Sequence, residues 1–282
     1  MKTLTVRVKP EYEIYIGSGV LKSCGEIIAK KVKGKKAVIV TDDIVSDLYA
    51  KSVALSLNEQ GVKTDIFVFE NGEHSKSHEI LIKLYDYLSE KQMTRSDFLV
   101  ALGGGVVGDL TGFAAATYLR GLEVVQLPTT LLAMTDSSIG GKTAVNIKSG
   151  KNLVGAFKQP ACVICDTNTL KTLSDEIFTD GMSEVIKYGM IKDAALFELL
   201  NKKADDTDIE QVILKCAEIK KTVVESDEFD KGERMLLNFG HTLGHAIEKY
   251  YNYNGISHGK AVAVGMCMMS YYTEKAGLTQ KG

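Results

Sequence analysis

The first 170 residues alternate between short β-branched runs and segments whose apolar residues recur at helical spacing. The strand-like runs lie at residues 4–8, 13–16, 37–41, 65–70, 98–103, 124–127 and 162–165. Residues 44–60, 77–91 and 106–118 lie between them and carry the helical pattern. This alternation predicts an α/β fold with a mainly parallel sheet and helices on both of its faces.

From residue 174 onward the strand-like runs disappear and amphipathic helical patterns take their place. These segments lie at residues 175–190, 194–203, 209–224, 232–250 and 257–276. The sequence shows no internal repeat and no Gly/Ser-rich or Pro-rich linker. We therefore expect an α/β N-terminal domain over residues 1–170, followed by an all-α C-terminal domain over residues 171–282.

The composition is typical of a globular chain and limits its partners. Of the 282 residues, 45% are apolar and 25% charged, and 34 Lys and Arg against 36 Asp and Glu give a net charge of −2. This charge offers no bulk attraction for nucleic acid. No apolar run approaches the roughly 18 residues of a membrane span, and the first ten residues predict a strand instead of a signal peptide. We expect neither nucleic-acid nor membrane partners.

The five cysteines are few, odd in number and scattered, which is typical of a reducing cytoplasm. Cys162 and Cys165 form a CxxC, but they fall in a predicted strand, whereas a redox CxxC needs a helix N-terminus. We interpret both as core residues and expect a cytoplasmic protein.

A glycine-rich segment, GGGVVGD at residues 103–109, follows a buried strand and opens a helix. Glycines let the backbone approach a ligand closely, and the N–H groups of a helix N-terminus bind anions. The alternative is a tight turn that binds nothing. Asp42 and residues 71–76 (NGEHSK) end two further strands. Because parallel strands end on one edge of the sheet, these segments together predict a dinucleotide groove, although the spacing is not GxGxxG.

A lysine-rich segment lies between Asp136 and Asp166, where no other acidic residue occurs. It contains Lys142, Lys148, Lys151 and Lys158. Its glycines at 140, 141, 150 and 155 predict a loop. An unneutralised basic loop in an acidic chain favours a phosphate or carboxylate site. A solvated surface loop is the alternative.

Two histidines near residue 240 lie in a predicted helix that has no charged residue from Met235 to Ile247. The spacing places five polar residues on one helix face: Asp230, Arg234, Asn238, His241 and His245. Buried polar groups need partners, so this face favours a metal or a ligand over a pair of hydrogen-bonded core histidines. His258 and Glu184 are candidate further ligands, and two imidazoles with one carboxylate are typical of catalytic zinc. The segment lacks the Glu of HExxH, which argues against a zinc protease.

Several long motifs together resemble one family, the 3-dehydroquinate synthases of the sugar-phosphate cyclase group. They occur in consistent order over nearly the whole chain. The matching segments are residues 71–76, 103–109, 127–146 (LPTTLLAMTDSSIGGKTAVN), 150–152, 182–189 (MSEVIKYG), 238–248 (NFGHTLGHAIE) and 257–260 (SHGK).

The resemblance implies a metal site, an NAD site and a substrate site. Glu184, His241 and His258 match the ligands of a divalent metal, zinc or cobalt. The NAD-binding positions, to which the strand-end argument adds Asp42, are Asn71, Gly72, Glu73, His74, Ser75, Lys76, Gly103, Gly104, Gly105, Val106, Val107, Gly108, Asp109, Thr129, Thr130, Lys142, Lys151, Thr169, Leu170, Lys171 and Thr172. The catalytic and substrate-binding positions are Asp136, Lys142, Asn152, Lys187, Lys220, Arg234, Asn238 and His245, with Arg120 expected to reach across a homodimer interface.

The resemblance also implies a reaction, the conversion of 3-deoxy-D-arabino-heptulosonate 7-phosphate to 3-dehydroquinate and phosphate in the shikimate pathway. NAD takes a hydride, phosphate leaves by β-elimination, the hydride returns, and an intramolecular aldol step closes the ring. NAD is regenerated, so the net reaction is that of a lyase. We expect His245 to relay protons near neutral pH.

The sequence departs from the family pattern in two places. Asp230 stands where the family usually has a glutamate. The chain also stops at Gly282, whereas the family continues with further helices, one of which carries a phosphate-binding lysine. We therefore expect the C-terminus to be truncated relative to the family, and weak or absent activity for the 282 residues by themselves.

Two alternatives remain at the sequence level. A metal- and NAD-dependent polyol dehydrogenase of the glycerol type shares the two-domain plan, but usually has an Asp metal ligand and lacks the lysine segment. An inactive NAD-binding module is the other. Accumulation of NADH would distinguish the dehydrogenase, and the absence of stoichiometric zinc would distinguish the module. Cyclases that act on heptose 7-phosphates or glucose 6-phosphate are more similar alternatives. The pocket residues Lys220, Asn238 and His245 favour the dehydroquinate reaction over the reactions of these cyclases.

Overall fold

The computed structural model describes residues 1–200, 208–251 and 255–280. The chain divides into two compact units, Met1–Thr172 and Leu173–Gly282. The first is built from strands and helices, and the described part of the second from helices. This is the α/β fold with a mainly parallel sheet followed by a helical part that the sequence predicts.

The strands of the first unit begin and end within about three residues of the predicted positions, and two further strands appear among them. In chain order they are β1 (Lys2–Val6), β2 (Tyr12–Gly17), β3 (Lys36–Asp42), β4 (Lys63–Phe69), β5 (Phe98–Gly103), β6 (Glu123–Pro128), β7 (Lys142–Ile147), β8 (Gly150–Phe157) and β9 (Cys162–Asp166). Seven form one sheet in the order β1-β2-β9-β6-β5-β3-β4. Only β1 and β2 pair antiparallel in this sheet.

Helices cover both faces of this sheet. They are α1 (Cys24–Lys31), α2 (Asp43–Val45), α3 (Lys51–Glu59), α4 (His78–Glu90) and α5 (Gly105–Thr117). A π-helical turn, Ser46–Ala50, joins α2 to α3, so the single helix predicted at 44–60 is continuous but irregular. Alternate strand residues point to opposite faces: Ile39 packs with the residues of α1 and α3, and Val38 with those of α4 and α5.

The strand order reverses between β3 and β5, because β4 lies on one side of β3 and β5 on the other. Open parallel sheets bind ligands outside the carboxyl ends of the strands at such a point. The glycine-rich segment follows β5 and Asp42 ends β3, so both predicted strand ends lie at this reversal.

The lysine-rich segment forms a β-hairpin, which corrects the prediction of a loop. β7 and β8 pair antiparallel, with Lys142 opposite Phe157 and Ile147 opposite Gly150. Gly155 is required by packing, because a Cβ on it would lie 2.1 Å from the backbone oxygen of Thr143. Apolar residues of both strands, Val145 and Val154 among them, pack on the α4–α5 side of the sheet.

The described part of the second unit is helical. Its helices are α6 (Asp175–Ile191), α7 (Ala194–Leu200), α8 (Ile209–Ser226), α9 (His241–Tyr250) and α10 (His258–Lys275). The helix predicted at 194–203 is described only to Leu200, and its last three residues lie outside the described range.

The prediction of a single helix at residues 232–250 is wrong. A 3-10 helix, Glu233–Asn238, ends before Gly240, whose left-handed conformation (φ 79°) separates it from α9. The five polar residues therefore do not share one helix face. Arg234 and Asn238 belong to the 3-10 helix, His241 and His245 belong to α9, and Asp230 precedes both with φ 56°.

Cys162 and Cys165 are fully buried in β9 and form no disulfide, which confirms their interpretation as core residues. Over the described ranges, none of the helices combines the length and the apolar character that crossing a bilayer requires.

Candidate active site

The glycine-rich turn brings the backbone close to other parts of the first unit. A Cβ on Gly104 would lie 3.1 Å from Thr130 Cγ2, and one on Gly105 would lie 3.1 Å from Ser137 Oγ. Gly104 is the N-cap of α5 and has no side chain to bond the first N–H groups of the helix. The turn is therefore narrow, and it presents N–H donors of the kind that bind a pyrophosphate.

Thr129 lies beside this turn and has a buried hydroxyl that forms no hydrogen bond within the described residues. Its backbone N–H donates to Gly103 O at 3.0 Å, and its carbonyl lies 3.4 Å from Thr169 Oγ1. Thr169, Leu170, Lys171 and Thr172 belong to a 3-10 helix, Thr167–Thr172. A buried hydroxyl without a partner is costly, so this group of residues fits a polar ligand such as a dinucleotide.

The ends of β3 and β4 are joined by an aspartate that we did not single out as a site residue. Asp43 Oδ1 accepts hydrogen bonds from Asn71 N (2.9 Å) and from Asn71 Nδ2 (3.0 Å). The neighbouring Asp42 accepts from Val45 N at 2.8 Å, and burial raises the pKa of its carboxyl. Asp43 directly follows a strand end, which was the available sequence signal.

Lys76 connects three predicted site residues in the first unit. Its buried ammonium pairs with Asp109 in α5 and donates to Asn152 Oδ1 at 2.6 Å. Burial opposes its charge, but the carboxylates of Asp109 and Glu73 outweigh burial and raise the pKa of Lys76. Burial raises the pKa of Asp109, and the charge of Lys76 acts against this shift. Lysine can only donate, so Asn152 must turn its carbonyl oxygen toward Lys76.

Glu73 is likewise tied to the hairpin. Its Oε1 accepts from Asn146 Nδ2 at 2.7 Å, and Asn146 Oδ1 accepts from Asn152 N at 2.9 Å. Asn146 is a residue that sequence reasoning left out of the site, although it ends the long motif at 127–146. Gly72, His74 and Ser75 lie in the same short turn.

The hairpin separates the lysines that we expected to form one cluster. Lys142 and Lys158 lie at its open end, and Lys148 and Lys151 lie at its turn. The two ends of the hairpin are separated by five or six strand residues, which span roughly 18 Å. Asp136 lies in a π-helical turn, Ala133–Ser137.

Arg120 lies away from the glycine-rich turn of its own chain. It is exposed just beyond the C-terminus of α5, whereas the turn is at the N-terminus, and the 13 residues between span roughly 20 Å. The structure does not bring it to the other predicted residues of the first unit.

Three candidate metal ligands converge in the second unit. Glu184 lies in the middle of α6, His241 begins α9 and His258 begins α10. Glu184 Oε1 lies 3.5 Å from His241 Nε2 and 4.0 Å from His258 Nε2. The three candidate ligand atoms lie within 4.8 Å of one another. Two ligands bound to one zinc ion at tetrahedral angles lie about 3.3 Å apart. The spacing and the donor types therefore fit a zinc-like divalent ion.

Two of the three residues have a contact that orients the proposed ligand atom. The second oxygen of Glu184 pairs with Lys187, and both side chains are only 1% exposed. His241 Nδ1 lies 3.3 Å from the carbonyl oxygen of Phe239, which can only accept. This contact favours the proton on Nδ1, which would leave the lone pair on Nε2.

Local packing places these helix ends. Gly240 precedes His241 and lies against α10, where a Cβ would be 2.5 Å from Met266 Cγ. Asp180, one turn before Glu184, accepts from Gly259 N at 2.7 Å. The chain at His258 is thus bonded directly to α6.

The remaining predicted residues of this unit differ in exposure. Lys187 and Arg234 are 1% exposed and Lys220 6%, whereas Asn238 is exposed and His245 is 53% exposed at its side chain. Arg234 Nη1 donates to Glu228 O at 2.6 Å.

Glu248 is a buried carboxylate that sequence reasoning did not select. Its Oε2 lies 2.7 Å from His245 Nδ1 and 3.5 Å from His258 Nδ1. Burial disfavours the charged form of His258, but Glu248 and Glu184 outweigh burial and raise its pKa. The spacing of three residues from His245 was the signal that could have identified Glu248.

Comparison with known proteins gives two matching family models. The family described as 3-dehydroquinate synthase N-terminal matches residues 66–180, and that described as 3-dehydroquinate synthase C-terminal matches residues 181–282. A curated 3-dehydroquinate synthase of Clostridium kluyveri is 50% identical over 287 residues, an alignment that covers 100% of this chain and 80% of the relative.

Solved structures of two sugar-phosphate cyclases are also similar. One is 2-deoxy-scyllo-inosose synthase complexed with carbaglucose-6-phosphate, NAD+ and Co2+, with a TM-score of 0.90 and 28% identity over 99% of this chain and 77% of that chain. The other is the 2-epi-5-epi-valiolone synthase ValA from Streptomyces hygroscopicus subsp. jinggangensis 5008 with NAD+ and Zn2+, with a TM-score of 0.86 and 27% identity over 95% and 76%.

Proposed function

The chain belongs to the 3-dehydroquinate synthase family, and from this premise we propose which of its residues hold the metal, the cofactor and the substrate. Its activity is that of a carbocycle-forming phosphorus–oxygen lyase in the shikimate pathway, which converts 3-deoxy-D-arabino-heptulosonate 7-phosphate to 3-dehydroquinate and phosphate. The observation that carries the assignment of residues is the convergence of Glu184, His241 and His258.

We propose that these three side chains hold one divalent ion, zinc or cobalt, and that NAD binds in the first unit. When bound, NAD supplies a reversible hydride acceptor, and the ion lowers the pKa of a substrate hydroxyl and polarises the carbonyl derived from it. Lys187 pairs with one oxygen of Glu184, and the other oxygen lies on the side of the histidines.

The proposed NAD residues present donors for the anionic and polar parts of a dinucleotide. The first N–H groups of α5, to which the N-cap Gly104 offers no side chain, would donate to a pyrophosphate, and Thr129 offers a buried hydroxyl. Asp42 offers a carboxylate at the end of β3, a position suited to a ribose hydroxyl. The proposal is completed by residues 71–76, 103–109 and 169–172, and by Thr130, Lys142 and Lys151.

We propose that the remaining residues bind and orient the substrate. Lysines and arginine suit its phosphate and carboxylate groups, and His245 suits a proton relay near neutral pH. Asn152, whose oxygen faces Lys76, offers its N–H₂ group to an acceptor. The full set is Asp136, Lys142, Asn152, Lys187, Lys220, Arg234, Asn238 and His245.

We also propose a cytoplasmic homodimer in which Arg120 acts on the substrate of the partner subunit. Its exposure at the far end of α5 supports this role. A mixed dimer tests it: when an Arg120→Ala chain is combined with a chain inactivated at His245, activity should return in the mixture, since one site is then intact. Light scattering that finds a monomer would contradict the proposal.

The reaction is tested by phosphate release from the heptulosonate phosphate with NAD far below the substrate concentration. Since we expect weak activity from these 282 residues, the incubation is long, and phosphate should then exceed NAD many-fold while NADH does not accumulate, because the hydride returns in each turnover. NADH formed in step with product would indicate a dehydrogenase instead.

The metal site is tested by zinc content. Glu184→Gln should lower bound zinc well below one per chain and stop phosphate release. Glu176→Gln is the matched control, because Glu176 lies on the same helix but is exposed and pairs with Lys260 at 3.0 Å. Full zinc content in Glu184→Gln would contradict the proposed ligand.

A further inference from the structure

Glu248 lies behind the histidine cluster. It is in the last turns of α9, and its side chain is 1% exposed. One of its oxygens, Oε2, lies near the Nδ1 atoms of two imidazoles. It is 2.7 Å from His245 Nδ1 and 3.5 Å from His258 Nδ1. A buried carboxylate shared by two imidazoles constrains both of them.

The constraint is on the tautomer. An ionised carboxylate only accepts hydrogen bonds, so it favours the proton on Nδ1 of each ring and leaves the lone pair on Nε2. For His258 this is the nitrogen that lies 4.0 Å from Glu184 Oε1. His241 has the same arrangement, with the Phe239 carbonyl behind Nδ1. Both proposed ligands thus present Nε2 on the side of Glu184.

A competing arrangement uses Glu248 itself as a ligand, since His245, Glu248 and His258 also bring their donor atoms within 4.8 Å of one another. The 2.7 Å between Glu248 Oε2 and His245 Nδ1 is a hydrogen-bond distance. It is shorter than the about 3.3 Å expected of two ligands on one zinc ion. The 3.5 Å between Glu184 Oε1 and His241 Nε2 agrees better with that value.

We propose that Glu248 is a positioning residue that holds His258 and His245 in the Nδ1-protonated tautomer, so that His258 presents Nε2 to the metal and His245 presents Nε2 to the substrate. This inference rests on the proposed metal site. A carboxylate behind a metal-bound imidazole fixes its orientation and raises its basicity, and loss of such a group typically weakens metal binding 10–100-fold.

Two variants and one control test this role. Glu248→Gln keeps the shape, but its amide can donate to Nδ1 and so favour the wrong tautomer. Glu248→Asp keeps the charge with a shorter arm. Glu233→Gln is the matched control, because Glu233 lies in the same unit but pairs with Lys192 at 2.6 Å on the exposed side. Each protein is freed of metal, checked for cooperative thermal unfolding, and titrated with zinc against a chelator of known affinity.

We expect Glu248→Gln to bind one zinc per chain with an affinity 10–100-fold below that of the unaltered protein. Glu248→Asp should lie between the two, and Glu233→Gln should match the unaltered protein. Long-range ¹H–¹⁵N spectra of the zinc-loaded unaltered protein should show His245 protonated at Nδ1, and Glu248→Gln should reduce this population. If Glu248→Gln does not fold, the intermediate affinity of Glu248→Asp and the spectrum of the unaltered protein decide.

Three outcomes would overturn the inference. One is an unchanged zinc affinity in both Glu248 variants. Another is a complete loss of stoichiometric zinc and an altered visible spectrum of the cobalt form in Glu248→Gln, together with full binding in His241→Ala, because Glu248 would then be a ligand. The third is His245 protonated at Nε2 in the unaltered protein. Failure of the unaltered protein to bind zinc would instead contradict the metal site on which the inference rests.

Discussion

At the scale of single residues, burial determines the chemistry of the cysteines. Cys24, Cys162, Cys165 and Cys216 are buried, and Cys267 is exposed. Burial raises the pKa of Cys24 to about 11 and that of Cys162 to about 12, and it also raises the pKa of Cys165. A raised pKa lowers the thiolate fraction at any given pH, and the thiolate is the reactive form.

We therefore predict that one thiol per chain reacts rapidly with a thiol-specific disulfide reagent at pH 8, and that all five react after denaturation. Cys267→Ser is the control and should abolish the fast phase. A second fast thiol in the native protein would contradict the burial of the other four cysteines, and fewer than five thiols in the denatured and unreduced protein would contradict their free state.

Lys187 is a residue whose replacement should separate stability from metal affinity. In Lys187→Met, Glu184 remains buried without its cation, and breaking a buried ion pair costs about 3–5 kcal/mol. The same change removes a positive charge next to the proposed ion, so zinc affinity should rise. Urea unfolding with chelator present and a zinc competition titration measure the two effects.

Lys192→Met is the matched control for this prediction. Its partner Glu233 is about half exposed, so its loss should cost no more than about 1 kcal/mol and leave zinc affinity unchanged. Weaker zinc binding in Lys187→Met would show that Lys187 positions Glu184 more than it repels the ion.

Sequence reasoning reached Glu184, His241 and His258 because two imidazoles in an apolar helical pattern imply a buried polar partner. It missed Glu248, which ends the same pattern next to Lys249 and so looks like the solvated end of an amphipathic helix. The packing of α9 against α10 buries this carboxylate, and that packing is not visible in spacing along one helix.

At the scale of elements, a close contact between α9 and α10 sets the distance between the histidines. A Cβ on Gly265 would lie 2.2 Å from Gly240 O and 3.0 Å from Gly244 N. Gly265→Ala must therefore push α10 away from the start of α9, where His241 lies. We predict a loss of about 1–3 kcal/mol in the free energy of unfolding and a lower zinc affinity.

Val264→Ala tests whether the effect comes from this contact or from any change in α10. Val264 is the preceding residue and is exposed, so its truncation should change neither stability nor zinc affinity appreciably. Urea unfolding and zinc titration of both variants give the comparison. Equal behaviour of Gly265→Ala and Val264→Ala would contradict the packing argument.

Two elements escaped prediction for different reasons. The segment at residues 140–158, which contains the hairpin β7–β8, has four glycines and four lysines that indicate a loop locally. The two strands form because Val145 and Val154 pack on an apolar surface of α4 and α5. The break at Gly240 escaped because a 3-10 helix followed by an α-helix keeps nearly the same apolar spacing. The break depends on the positive φ of Gly240, and a backbone angle is not visible in the sequence.

At the scale of the whole molecule, the alternation of strands and helices predicts a mainly parallel sheet and its covering helices, but not the order of the strands. That order depends on β5 returning to the far side of β3, a long-range pairing that no local pattern encodes. The reversal nevertheless explains why the predicted polar strand ends occur together.

Removal of the metal should separate the two proposed binding functions. The proposed NAD residues all belong to Met1–Thr172, and the three proposed metal ligands all belong to Leu173–Gly282. Dialysis against a chelator should therefore abolish phosphate release and leave NAD affinity, measured by calorimetry, little changed. Zinc at about a hundredfold excess over its dissociation constant should restore phosphate release and stabilise the folded chain by about 2.7 kcal/mol. NAD affinity that falls in step with metal content would contradict this separation, because it would require the metal to support the cofactor site directly.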